Sequence, residues 1–215
     1  LRFHQGETDN DAEFSEQLAR HGDVFVNDAF GTAHRAHASN VGVLDFIPVA
    51  SSGFLLDGER TYLSDAIENP VKPFVVVLGG SKISGKIELI ENMMEYASDI
   101  IIGGAMAFTF LKAQGFSTGG SLIDSDRLAI ARELLNKAQS KSISIHLPKD
   151  VLASTEISET SGWEISDVDR LKNDEIGLDI GPESCIEFEQ ILANANTILW
   201  NGPLGVYEIS NYAVG

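Results

Sequence analysis

The run Phe74-Val75-Val76-Val77-Leu78, followed at once by Gly79-Gly80, constrains this chain more than any other feature. Consecutive apolar residues without alternation describe a strand covered on both faces, the habit of a parallel sheet lying between helices. A glycine turn at the carboxyl end of such a strand puts backbone amides where open α/β sheets bind their ligands. The arrangement recurs twice. Ile100-Ile101-Ile102 precedes Gly103-Gly104, and a strand from Thr197 to Asn201 precedes Gly202-Pro203-Leu204-Gly205. Between them, Ile83, Ile87, Ile90, Met94 and Ala97 follow helical spacing. A second helix reaches about Ala113, and a longer one spans roughly Ser125 to Lys141 before a strand from Ser144 to His146. Another follows Gly177-Leu178-Asp179-Ile180-Gly181-Pro182 and reaches about Ala193. Strands alternating with helices predict βαβ units and a mainly parallel sheet. Residues 154–175, polar and poorly periodic, read as a long loop or irregular strands.

The part ahead of Pro73 is a shorter series. Leu1-Arg2-Phe3-His4 alternates like the middle of a strand. Asn10 or Asp11 can cap a helix to about His21 that Gly22 stops, and Val24-Phe25-Val26 reads as a buried strand. A helix over about 57–68 ends before Asn69-Pro70. The expected fold class is α/β, with two lobes of Rossmann-like parallel sheet flanked by helices. Residues 1–56 are read as the later part of an incomplete N-terminal lobe, 57–70 as an interdomain hinge helix, and 71–215 as a C-terminal lobe missing its end. Both termini read as cut, since the chain opens inside a strand and stops at Gly215 without an obvious final element.

Composition narrows the function. A net charge of −17 argues against a general binder of nucleic acid or anionic membrane. No apolar run reaches the roughly 18 residues of a membrane span. Cys185 is the only cysteine, so no intrachain disulfide forms and a reducing compartment is expected. The lone thiol reads as a buried or half-buried packing residue rather than a nucleophile.

Three glycine turns in one sheet suit an anion, because amides and helix N-termini favour negative charge. The first turn carries Lys82 and Lys86, four residues apart, expected to project on one side of a helix and meet one phosphate chain; the plainer alternative is two solvated lysines. Gly80 and Gly85-Lys86 also match the spacing of a Walker A loop, but Ile87 stands where the magnesium-holding Ser or Thr belongs. A P-loop enzyme is therefore the more distant reading. Arg2 and Arg35 offer the planar fork that grips carboxylates and phosphates. His34 and His37 flank Arg35, but two histidines in a short loop are poor evidence for a metal.

Taken together, the segments LRFH (1–4), DVFVNDAFGTAHRAHAS (23–39), LGGSKISGKI (78–87), IIGGAMAFTFLKA (101–113), GLDIGP (177–182) and WNGPLGVYE (200–208) resemble phosphoglycerate kinase, in family order and across essentially the whole chain. The resemblance implies a glycolytic phosphotransferase exchanging a phosphoryl group between 1,3-bisphosphoglycerate and ADP, giving 3-phosphoglycerate and ATP. It implies two lobes closing over a cleft, with Arg2 and Arg35 on the phosphoglycerate and Lys82 stabilising the phosphoryl group in flight. Lys86, Gly80, Gly104, Leu122, Gly177, Leu178, Asn201, Pro203, Val206 and Glu208 fall on positions lining the nucleotide site, with Glu208 on the ribose. Magnesium with ADP or ATP is implied as cofactor, with its ligand outside these residues. A cytoplasmic monomer is implied too, and the 215 residues by themselves are expected to be inactive. Three departures stand out: Gly85 where many members carry Asp, Ala105 in place of a third glycine, and Asp174-Glu175-Ile176 where Gly-Trp often precedes Gly177. They leave room for a paralogue that binds nucleotide without turnover.

Overall fold

His4 closes the opening segment into a turn, not a strand: its amide donates to the Leu1 carbonyl at 2.8 Å. Its Nδ1 accepts from the Gly6 amide at 3.1 Å, capping the one-turn helix α1 (Gln5–Thr8). The His4 ring stacks on Phe14 of α2 (Ala12–Ala19), 4.2 Å between centroids. A polar cap and an aromatic partner outweigh a four-residue alternation. Asp11 caps α2 as expected, accepting from the Phe14 amide at 2.8 Å.

These elements belong to a computed structural model that describes residues 1–215 apart from the side chain of Asp65. The chain divides into two units, 1–65 and 66–215. In the first, β1 (Phe25–Asn27) pairs in parallel with β2 (Ala50–Ser52). This strand was expected to be buried, yet Val24 and Val26 are more than half exposed, because a two-stranded sheet leaves much of its surface uncovered. The helix α3 (Phe54–Glu68) begins three residues ahead of the expected Asp57. Its start is set by Asp28, whose Oδ1 accepts from the Leu56 amide at 2.9 Å. A cap contributed from 28 residues away leaves no local signature.

The second unit is organised by β3 (Phe74–Leu78), buried along its whole length. After it come α4 (Ile87–Met93), β4 (Asp99–Ile102), α5 (Ala105–Gln114), α6 (Leu128–Ser140) and β5 (Ser144–His146). Later in the chain lie α7 (Pro182–Ala193) and β9 (Thr197–Asn201); the four strands form one parallel sheet in the order β5-β4-β3-β9. Alternation along β3 assigns its two faces. Phe74, Val76 and Leu78 pack with Ile90, Met106, Phe110 and Leu134 of α4, α5 and α6. Val75 and Val77 pack with Phe188 of α7 and with Ile180 and Leu204. Pro182 at the start of α7 suits a position whose amide needs no intrahelical partner. No helix among the described residues is long and apolar enough to cross a membrane.

The expectation of a mainly parallel architecture needs one correction. The strands β6 (Asp150–Ser154), β7 (Glu164–Asp167) and β8 (Ile176–Ile180) make a separate antiparallel sheet in the order β7-β6-β8. Part of the segment read as a long loop or irregular strands is therefore the edge strand β7 and its connections. Its four residues are exposed or half-buried and mostly polar, so they carry little periodic apolar signal.

Candidate functional site

Because β3 lies between β4 and β9, the three glycine turns at their carboxyl ends meet. The Gly79 amide donates to the Asn201 carbonyl at 3.0 Å, Gly103 to Leu78 at 2.9 Å, and Gly104 to Leu204 at 2.8 Å. Met106 at the start of α5 donates to Gly80 at 2.9 Å. The turns touch so closely that a Cβ on Gly79 would sit 1.9 Å from the Pro203 carbonyl oxygen. Over Gly80 the opposite holds, with nothing within 4 Å of where a Cβ would lie. Most of the glycines thus pack turn against turn, while Gly80 faces open space.

Lys82 and Lys86 do not share a helix face. Residues 81–86 are irregular, with no helix among them, and Lys86 is the residue that precedes α4. The i, i+4 geometry expected from spacing requires helical dihedrals, which Lys86, at φ −128°, does not have. Its Nζ donates to the carbonyl and side-chain oxygens of Asn201, at 2.8 and 2.5 Å, so it staples the first turn to the third. Burial pushes its pKa below the ordinary lysine value. Lys82 is exposed and makes no hydrogen bond or ion pair among the described residues. It lines an open groove of about 390 Å³ with Ser81, Ser84, Leu122 and the 123–127 segment, in which Asp124 and Asp126 stand.

The remaining expected nucleotide residues scatter in kind. Leu122, Asn201, Pro203 and Glu208 are exposed. Gly177 packs on the Phe108 ring and its amide donates to Ser121 Oγ at 3.0 Å. Leu178 is 3 % exposed and packs with Leu152 and Tyr212, with the half-buried Val206 against the same cluster. Leu178 also borders a small cavity with Gly104, Phe108 and Gly177. Its carbonyl accepts from the Val206 amide at 2.8 Å and seats the loop after β9. Burial, with Asp179 and Asp150 nearby, pushes the half-buried Cys185 thiol up, which disfavours the nucleophilic thiolate.

The first unit has its own polar site. Arg35 is half-buried, and its Nε has no hydrogen-bond partner among the described residues. Its loop is held by Asn40, whose Nδ2 donates to the carbonyls of Thr32, Ala33 and Arg35 at 3.0, 3.2 and 2.7 Å. Asn27 donates in turn to Asn40 Oδ1. The buried Glu7 accepts from Ser39 N at 2.9 Å and Ser39 Oγ at 2.5 Å, with His37 Nδ1 at 3.6 Å. Sequence reasoning missed Glu7 and assigned no role to Asn27 or Asn40. Arg2 is exposed and makes no contact of this kind among the described residues.

The family model for phosphoglycerate kinase matches residues 1–215. The chain belongs to the phosphoglycerate kinase family. It is 49 % identical over 215 residues to the phosphoglycerate kinase of Chlorobium luteolum and 47 % to that of Chloroherpeton thalassium, covering all of this chain and 54 % of each relative. Among solved structures it is similar to phosphoglycerate kinase from Coxiella burnetii, with a TM-score of 0.85 at 43 % identity, covering all of this chain and 55 % of that one. The enzyme from Pyrococcus horikoshii gives a TM-score of 0.84 at 30 % identity, with 56 % of that chain covered. The chain thus spans about half the length of the relatives it matches.

Within the phosphoglycerate kinase family, this member's departures fall in different settings. Gly85 has nothing within 4 Å of a Cβ position, so no steric demand selects glycine there. Ala105 is the first residue of α5. Glu175 is buried and bound to Lys172, at 2.6 Å from its Nζ. The Walker A match is set aside, since Ile87 packs against the main core and Lys86 is engaged by Asn201. No group of three or more His, Cys, Asp or Glu side chains among the described residues is arranged to hold a metal ion.

Proposed function

We propose that the protein containing this chain is a working phosphoglycerate kinase, transferring a phosphoryl group reversibly between 1,3-bisphosphoglycerate and ADP to give 3-phosphoglycerate and ATP, as a cytoplasmic monomer. The observation that carries the reading is Lys82, an exposed cation without a protein partner, on the glycine turn of a chain matched to this family throughout. In-line phosphoryl transfer asks for positioning and positive charge around the equatorial oxygens, more than for a nucleophile or base. Towards ATP, an ADP β-phosphate oxygen attacks the acyl-phosphate phosphorus and the carboxylate of 3-phosphoglycerate leaves. The substrate supplies both oxygens, so no catalytic Ser, Cys or His is required.

Lys82 takes the role of stabilising the transferring group. Gly80, Gly104 and Lys86 serve the nucleotide phosphates, with Lys86 also fixing the loop at Asn201. Leu122, Gly177, Leu178, Asn201, Pro203 and Val206 line the nucleotide, and Glu208 accepts from the ribose. Arg35 and Arg2 bind the phosphoglycerate. The unpartnered Nε supports this role for Arg35, because a buried donor left unpaired is costly unless a ligand satisfies it. Magnesium, when bound with the nucleotide, supplies charge neutralisation of the phosphates.

The test uses the full-length protein in an ATP-forming assay with 1,3-bisphosphoglycerate and ADP. Lys82→Ala should lower kcat by about a hundredfold or more while the dissociation constant of ADP moves by less than about threefold. Equal loss in both would make Lys82 a ground-state binding residue. ADP binding without turnover in the wild type would turn the reading to a nucleotide-binding module. The 215 residues alone are expected to lack turnover, since they span about half the length of the relatives.

A further inference from the structure

Glu175 folds its side chain back onto its own turn. Its Oε2 accepts from the Lys172 amide at 2.9 Å, and the Glu175 amide donates to the Lys172 carbonyl at 3.1 Å. Oε1 takes the Lys172 ammonium at 2.6 Å, and the same ammonium reaches Glu164 of β7 at 2.5 Å. The carboxylate is only 7 % exposed, so these contacts are shielded from bulk water although Lys172 itself is open to it.

The tied turn presents two carbonyls to the loop ahead of Leu122. A Cβ on Gly119, at φ +54°, would sit 2.4 Å from the Glu175 oxygen and 2.5 Å from that of Lys172. The Gly120 amide donates to the Glu175 carbonyl at 2.7 Å, and the next residue, the buried Ser121, accepts from Gly177 N at 3.0 Å. Beyond Leu122, the Asp124 amide donates to Thr109 Oγ1 of α5 at 3.0 Å. One carboxylate therefore closes a turn that seats Gly119-Gly120 on one side and leads directly into Gly177 on the other. The segment it fixes carries Leu122 into the groove that holds Lys82.

We propose that Glu175, with Lys172, is a positioning residue for the nucleotide site, acting through the 172–175 turn on Gly119-Gly120 and on Gly177; the proposal rests on the assignment of Leu122 and Gly177 to that site. The residue touches no reacting group, so its removal loosens the nucleotide wall and leaves the transfer step alone.

The experiment takes the full-length protein and measures kinetics together with amide hydrogen exchange. Glu175→Ala should raise the KM for ADP about five- to tenfold, with kcat and the KM for 1,3-bisphosphoglycerate within about twofold of wild type. Without nucleotide, the Gly120 and Gly177 amides should exchange faster in this variant than in wild type. Glu175→Gln, whose side-chain carbonyl can still accept from Lys172 N, should recover most of the ADP affinity. Should the alanine variant fail to fold, Lys172→Met, which removes the ammonium held by Glu175 and Glu164, decides by the same readouts, with faster Gly120 exchange and a KM shift confined to ADP. An unchanged KM for ADP, or a parallel rise for both substrates, overturns the positioning role. If ADP leaves exchange over 119–122 and at Gly177 unaltered in wild type, the site assignment fails and the proposal falls with it.

Discussion

The glycine turns after β3, β4 and β9 and the Arg35 loop are the two proposed anion sites, and they are built from opposite materials. The turns are held by backbone: main-chain amides donate to main-chain carbonyls, and contact is so close that Gly79 has no room for a methyl group. The Arg35 loop is held by side chains, with Asn40 spanning three carbonyls and Glu7 gripping Ser39. The difference follows from what each presents. Packed backbone turns keep their shape without help from side chains, whereas a long flexible guanidinium serves only if its loop is fixed. Backbone sites are broken by adding atoms, side-chain sites by removing them.

The largest break should come from Gly79→Ala. Its Cβ would collide with the Pro203 carbonyl, so the turns must part, with a loss of more than about 3 kcal/mol in denaturant unfolding and of ADP binding by calorimetry. An unaltered midpoint would mean that the turns are looser than their contacts imply. Next in size, Asn40→Ala removes the side-chain donor to the Arg35 carbonyl and the acceptor of Asn27, and should cost about 2 kcal/mol. Its functional signature lies on the other substrate: a raised KM for 1,3-bisphosphoglycerate with ADP affinity intact. A shift in ADP affinity instead would blur the distinction between the two sites. The smallest effect is expected from Gly85→Asp, which meets no neighbour; reduced freedom of the unfolded chain should leave stability level or raised by up to about 1 kcal/mol. A clear destabilisation in a thermal melt would show that glycine is required there after all.

Much of the second unit was legible because its signals are local. Continuous apolar strands announce β3 and β4, and glycine pairs announce the turns that follow them. The Arg35 network was hidden for the converse reason. Glu7 reaches Ser39 across 32 positions and Asn27 reaches Asn40 across 13, and nothing in either neighbourhood marks them as partners. The same holds for Asp28 at the start of α3. The antiparallel sheet escaped because β7 is a short edge strand whose polar side chains have no apolar face to bury.

The sequence by itself therefore determined the family, the alternation of strands and helices through the parallel sheet, and the identity of the glycines and cations at its carboxyl edge. These depend on residue type and short spacing, which a linear pattern carries. Only the tertiary structure decided that Lys86 staples Asn201 while Lys82 stays free, that Leu178 belongs to the core, and that Glu175 closes the turn seating Gly119-Gly120. Those outcomes depend on which distant backbone lies within about 3 Å of a given group, and hydrogen bonding at that range is set by packing rather than by order along the chain.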